Sequence, residues 1–271
     1  MISIVMPCYN CETSLVRTAE CIQAQTVADW ELIAVDDGSS DGTGAALDAL
    51  ARADARIRVI HQENQKLPKA LNRGFAAASG EYLTWTSADN RMMPYCLETL
   101  ASELERDPAA DMVFGNMSLI DYTGRVLRGW GWYEIPPASG RVMLPASTRE
   151  LNTYPNNTIG AAFLYRAGVN AVLSGYSPCQ YTLEDYDFFM RLNSLFNVKH
   201  CGEKRPLYAY RIHKDSLTSR DKELGITAGR PALMALDRIR RSFYPQPLHY
   251  WVNGDAPDLE GALRRLGRVV T

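Results

Sequence analysis

Trp30-Glu31-Leu32-Ile33-Ala34-Val35-Asp36-Asp37-Gly38-Ser39-Ser40-Asp41-Gly42-Thr43-Gly44 decides the fold, because an apolar run ends abruptly in acids, glycines and hydroxyls. The apolar part reads as a buried strand and the rest as a turn leading into a helix. Before it, Ile2-Ser3-Ile4-Val5-Met6 is a second apolar run, stopped by Pro7, which cannot donate to a central ladder. Between the two, Leu15, Val16, Ala19 and Ile22 fall on one face of a helix spanning Thr13 to Gln25. A strand, a helix and a strand in that order imply a parallel pair.

The rhythm continues. Ala45, Ala46, Leu47, Ala49 and Leu50 open the next helix, Arg56 to His61 alternates as a third strand, and Pro68 starts a helix carrying Ala70, Leu71, Gly74 and Phe75. Gly80-Glu81-Tyr82-Leu83-Thr84-Trp85-Thr86-Ser87-Ala88-Asp89-Asn90 is then a fourth strand whose first carboxylate, Asp89, comes where the strand leaves the sheet. Ligands of open α/β sheets bind at such carboxyl ends, where Asp36, Asp37 and Asp89 all fall. Each is also an ordinary turn or capping residue, so none identifies a site by itself. The first turn has no G-x-G-x-x-G, which counts against a dinucleotide.

Further on, a helix runs from Pro94 to Glu105, a strand from Asp111 to Ile120, and Asp121-Tyr122-Thr123-Gly124 turns back into Arg125 to Gly129. Residues 130–158, with Trp130, Trp132, Tyr133, Tyr154 and the prolines Pro136, Pro137, Pro145 and Pro155, show no period and read as a long functional loop. A strand at Ile159 to Tyr165 follows, and then a short helix from Ala167 to Leu173 stopped by Gly175. Thr182 is placed to cap a helix with Glu184 and Asp185 in its first turn, where carboxylates suit the helix dipole. Asp187 points elsewhere and reads as structural. Leu207 to His213 is the last strand, and the chain from about Arg220 is helical and turn-rich.

The 271 residues are 46% hydrophobic and 22% charged, enough for one large α/β domain with or without an appendage. A net charge of -2 leaves no overall basic field for nucleic acid. No apolar run approaches the roughly 20 residues that span a bilayer, and the first residues lack the pattern of a signal peptide, so a cytoplasmic protein is expected. The six cysteines show no paired framework; Cys8-x-x-Cys11 lacks the second ligand pair a structural zinc site needs. Arg238, Arg240, Arg241, Arg264, Arg265 and Arg268 lie among Leu236, Ile239, Phe243, Leu263 and Leu266. Such a tail fits peripheral contact with an anionic membrane at its inner face, a homodimer contact, or a solvated helix face.

Taken in order, Ile4-Val5-Met6-Pro7-Cys8-Tyr9-Asn10, Val35-Asp36-Asp37-Gly38-Ser39, Ala70-Leu71-Asn72-Arg73-Gly74, Ala88-Asp89-Asn90, Leu183-Glu184-Asp185-Tyr186-Asp187 and Tyr210-Arg211-Ile212-His213 resemble the inverting family 2 glycosyltransferases. The resemblance runs from about Ile2 to Ser219. It implies a GT-A fold: a mixed, mainly parallel Rossmann-like sheet flanked by helices. Residues 1–110 would bind the nucleotide sugar, 111–219 the acceptor, and 220–271 would form a helical extension.

By that resemblance, Pro7 and Tyr9 border the nucleobase, Asp37 accepts from a uracil-type N–H with Asp36 supporting it, and Ala88 and Asp89 lie beside the diphosphate. Lys69 or Arg73 would reach a phosphate, although a solvated cation on a helix surface is the plainer reading. Asp89 and His213 would hold Mg²⁺ or Mn²⁺. The family's D-x-D is here Ser87-Ala88-Asp89, so its first acid is missing. Asp185 would be the general base, with Glu184 positioning or tuning it. The donor would be a nucleoside diphosphate sugar, UDP-linked, and the acceptor a glycan or a lipid-linked saccharide lying against the aromatic loop and Gly160-Ala161-Ala162. A sugar nucleotidyltransferase is the rival enzyme, although no Gly-rich basic phosphate loop is present. A carbohydrate-binding protein without turnover is the rival non-enzyme.

Overall fold

The computed structural model describes residues 1–129, 133–153, 157–214 and 216–242. The first half alternates as expected: β1 (Ile2–Cys8), α1 (Leu15–Gln23), β2 (Trp30–Asp37), α2 (Thr43–Ala53), β3 (Ile57–Gln62), α3 (Leu67–Phe75) and β4 (Tyr82–Trp85). It continues with β5 (Arg91–Met92), α4 (Cys96–Arg106), β6 (Met112–Gly115), β7 (Met117–Ile120), β8 (Arg141–Val142), β9 (Ala162–Arg166) and α5 (Ala167–Leu173). Then come α6 (Glu184–Leu195), β10 (Val198–His200), β11 (Tyr208–Arg211), α7 (Asp221–Leu224) and α8 (Ile226–Ser242).

Seven strands form one sheet in the order β10-β6-β9-β4-β1-β2-β3. All its pairs are parallel except those of β9, which runs antiparallel to both β4 and β6. Every residue of β2 is buried, as expected of a central strand covered by helices on both faces. β1 continues through Pro7 and does not stop there. Pairing with β4 ends at Val5, so the proline's missing N–H falls where β1 borders only β2. Gly74 of α3 lets that helix lie directly on the sheet: an added Cβ would sit 2.4 Å from Val5 Cγ1.

Four readings of the second half are corrected. The stretch from Asp111 to Ile120 is two strands in different sheets, because β7 leaves β6 at Asn116 to join a second sheet ordered β5-β11-β7-β8. Asn116 holds that break. Its Nδ2 donates to Glu203 O at 2.7 Å, and its Oδ1 accepts from Leu144 N at 2.9 Å. The return after the Asp121–Gly124 turn is no strand but a bridge between Ile120 and Val126, and β7 pairs instead with β8. The loop from 130 to 158 therefore contains a strand, and also a 3-10 turn at Arg149–Asn152; Trp130, Trp132, Tyr154 and Pro155 lie outside the described residues. Thr182 does not cap α6. It has φ +76, and Leu183 stands at the cap without a side-chain bond.

Residues 221–242 are docked on the rest of the described chain. Asp187 on α6 is fully buried and pairs with Arg191 at 2.9 Å and with Arg240 of α8. Arg241 Nε donates to Asp237 Oδ2 at 2.8 Å, and Asn152 Nδ2 donates to the same oxygen at 3.0 Å. Two of the arginines expected on a basic outer face thus turn inward, while Arg238 and Ile239 remain exposed; Arg264, Arg265 and Arg268 lie outside the described residues. No described helix is long and apolar enough to cross a membrane.

Candidate active site

The carboxyl ends of β1 and β2 are tied together by their loops. Asn10, at φ +50, donates its N–H to Ser39 Oγ at 3.0 Å and accepts from Ser40 N at 2.8 Å. This leaves the Tyr9 ring 55% exposed on the wall of a cavity of about 1560 Å³. Asp37 is buried, its Oδ1 accepting from Gln62 Nε2 at 2.7 Å and Gln65 N at 2.8 Å. The neighbouring Gly38 has φ +74, and a Cβ there would meet Asn64 N at 2.7 Å, so only glycine suits this turn. Asp36 faces β3, accepting from Ser39 N and lying 3.0 Å from His61 Nδ1. Burial works against its charge, but the bonds from Ser39 and His61 prevail and hold its carboxyl below the usual range.

Past β4, the chain from Thr86 to Asn90 is held by β11. Arg211 donates its N–H to Asn90 Oδ1 at 2.7 Å and its Nε to Asp89 O at 2.7 Å, while Thr18 Oγ1 donates to Asn90 O at 2.9 Å. The clamp sets Asp89 Oδ2 2.9 Å from His213 Nε2, and leaves Asp89 Oδ1 buried with no hydrogen-bond partner among the described residues. A buried carboxylate oxygen without a donor is a costly arrangement unless something else meets it. A carboxylate and an imidazole are suitable ligands for a divalent cation that takes its other ligands from diphosphate and water. The described residues hold no group of three or more potential metal ligands, and Ala88 adds only a buried methyl to the cavity wall.

The first turn of α6 carries the other acids. Glu184 is buried, with Oε2 lacking a hydrogen-bond partner among the described residues. Burial first, and then the charge of Asp185, push its carboxyl up to about 8. Asp185 keeps an edge on the cavity, accepting from Tyr186 N at 2.6 Å and, at the long distance of 3.4 Å, from Asn157 Nδ2. Burial raises it too, although the bond from Tyr186 and the nearby Arg230 guanidinium oppose the rise.

The cavity thus brings together Pro7, Tyr9, Ala88, Asp89, Glu184, Asp185 and His213. Asp36, Asp37 and Lys69 are not in its lining; the first two are engaged within the sheet edge, and Lys69 is exposed on α3. Gly160 and Ala161 line it, whereas Tyr133 does not and bonds Glu150 at 3.2 Å. Sequence reasoning missed Asn157, Arg211 and Arg230. Asn157 sits in a stretch without period, Arg211 acts through main-chain carbonyls far away in the chain, and Arg230 belongs to an unremarkable helix that closes over the cavity.

A mainly parallel sheet with one reversed strand, an acid–histidine pair beyond its fourth strand and an acidic helix facing it define a GT-A glycosyltransferase. Residues 3–171, more than half of the chain, match the family described as glycosyl transferase family 2, and the chain belongs to that family. A 117-residue stretch is 41% identical to Glycosyltransferase GlyG of Streptococcus pneumoniae, covering 43% of this chain but only 38% of that one. Among solved structures, S. aureus TarS 1-349 in complex with UDP-GlcNAc matches at a TM-score of 0.63 with 17% identity, over 90% of this chain and 73% of that one. Mannosyltransferase PcManGT from Pyrobaculum calidifontis, in complex with GDP-Man and Mn²⁺, matches at 0.61 with 16% identity, over 98% and 67%. At these identities the likeness is one of fold.

Proposed function

We propose that this chain is a metal-dependent inverting glycosyltransferase. It would move a sugar from a nucleoside diphosphate sugar, UDP-linked, to a hydroxyl of a growing glycan or a lipid-linked acceptor. The observation that carries this reading is the single cavity lined both by Asp89, with its buried unpartnered oxygen, and by Asp185. The TarS and PcManGT complexes, each with a nucleotide sugar, support a donor of that class on this fold.

Tyr9 offers a face on which the nucleobase stacks, and Asp37 a carboxylate near the sheet edge for an N–H of that base. Asp89 and His213 would hold Mg²⁺ or Mn²⁺, which when bound supplies the positive charge that offsets the departing diphosphate. Asp185 takes the proton of the acceptor hydroxyl as its oxygen bonds to the anomeric carbon. Attack from the face opposite the diphosphate inverts the configuration at that carbon. Glu184, buried beside Asp185 with its carboxyl pushed up to about 8, positions and tunes that base.

Asp185→Asn tests the assignment of the base. The variant should bind UDP like wild type while transfer falls by roughly a hundredfold or more. Transfer at the wild-type rate would remove Asp185 from the chemistry.

A further inference from the structure

On the proposed reading of the cavity as a transferase site, its wall beyond Asp89 carries charge that the donor residues leave unexplained. Arg91 on β5 lies against the Asp121–Gly124 turn: a Cβ on Gly124 would sit 3.2 Å from its Nη1. Arg211 donates Nη1 to the carbonyl oxygens of Asp121 and Tyr122 in the same turn, at 2.6 and 2.8 Å. Arg17 on α1 and Arg91 line the same cavity as Arg211. Among the described residues, neither Arg17 nor Arg91 makes a salt bridge. The acid of this turn, Asp121, spends Oδ1 on Thr123 N, Thr123 Oγ1 and Arg125 N. Tyr122, 75% exposed, also lines the cavity.

Guanidinium groups that line one cavity with no salt-bridging carboxylate among the described residues favour an incoming anion. Guanidinium is the side chain best shaped for a carboxylate or phosphate, which it can grip through two parallel N–H donors. An exposed tyrosine ring beside it supplies an apolar face for the C–H side of a pyranose. We propose that Arg91, Arg17 and Tyr122 form an acceptor subsite for an acidic sugar, one carrying its charge as a carboxylate or a phosphate. The acceptor is then an anionic saccharide and not a neutral one.

The test titrates glucuronate and glucose 6-phosphate, with glucose as the neutral control, against free and UDP-saturated protein by ligand-observed NMR. Both anions should bind wild type more tightly than glucose does. Arg91→Gln should weaken the anions by at least roughly tenfold and leave glucose unchanged, and Arg91→Lys should restore part of the loss. A preference for either anion identifies the charged group and supports the subsite. Equal binding of the anions by wild type and Arg91→Gln would overturn it. So would a parallel loss of UDP affinity in Arg91→Gln, which would place that guanidinium on the donor. Failure of UDP to bind wild type would instead remove the donor reading, while the anion comparison on free protein still decides the subsite.

Discussion

Asp89 is positioned by others: Arg211 grips its carbonyl, Asn90 ties the same turn to β11, and His213 meets one of its carboxylate oxygens. Its place at the end of a strand was legible because an apolar run followed by an acid marks the edge of a sheet. The Arg211 grip was not, since a bond to a main-chain carbonyl leaves no trace in the identity of the residue accepting it. Glu184 and Asp185 were legible as neighbours in a first helical turn, but it was not legible that Glu184 is buried while Asp185 stays partly exposed.

Burial also gives Glu184 a measurable signature. Its folded value of about 8 lies above the roughly 4.3 of a free glutamate, so folding takes up a proton between those limits. The stabilising contribution is complete below the lower value and is lost as pH rises through the upper one. Urea denaturation at pH 5 and pH 8 should show wild type losing on the order of a few kcal/mol across that range, and Glu184→Gln losing much less. The same pH slope in both proteins would contradict the buried, protonated glutamate.

At the level of elements, the alternating first half was readable throughout because each strand and helix carries its own period. The second half was less so. β6 and β7 form one apolar run and differ only in which sheet they join, a choice made by Asn116 through residues remote in sequence. The docking of α8 was equally hidden, because Arg240 and Arg241 look like surface residues until Asp187 and Asp237 are seen beneath them. Replacing Asp187 by Ala would strand Arg191 and Arg240 around a buried gap. The expected loss is about 3–5 kcal/mol, read as a lower urea midpoint, with greater proteolytic sensitivity after residue 220. An unchanged midpoint would mean that the Asp187–Arg240 pair contributes nothing to the docking of α8.

Across the whole molecule, the large sheet presents Tyr9 and Asp89, α6 presents Asp185, the second sheet presents His213 from the end of β11, and α8 adds Arg230 above them. The chain spans 38% of the length of GlyG, so the activity proposed concerns this unit. The chain departs from the expected D-x-D pattern at Ser87 and Ala88, which leaves a single carboxylate beside one imidazole for the cation proposed above. Whether that pair suffices is the point on which the account turns. Calorimetric titration of UDP with and without Mn²⁺, for wild type and Asp89→Ala, measures it directly. Mn²⁺ should tighten UDP binding to wild type by at least about tenfold and have little effect on Asp89→Ala; affinity indifferent to both the metal and the substitution would contradict the account.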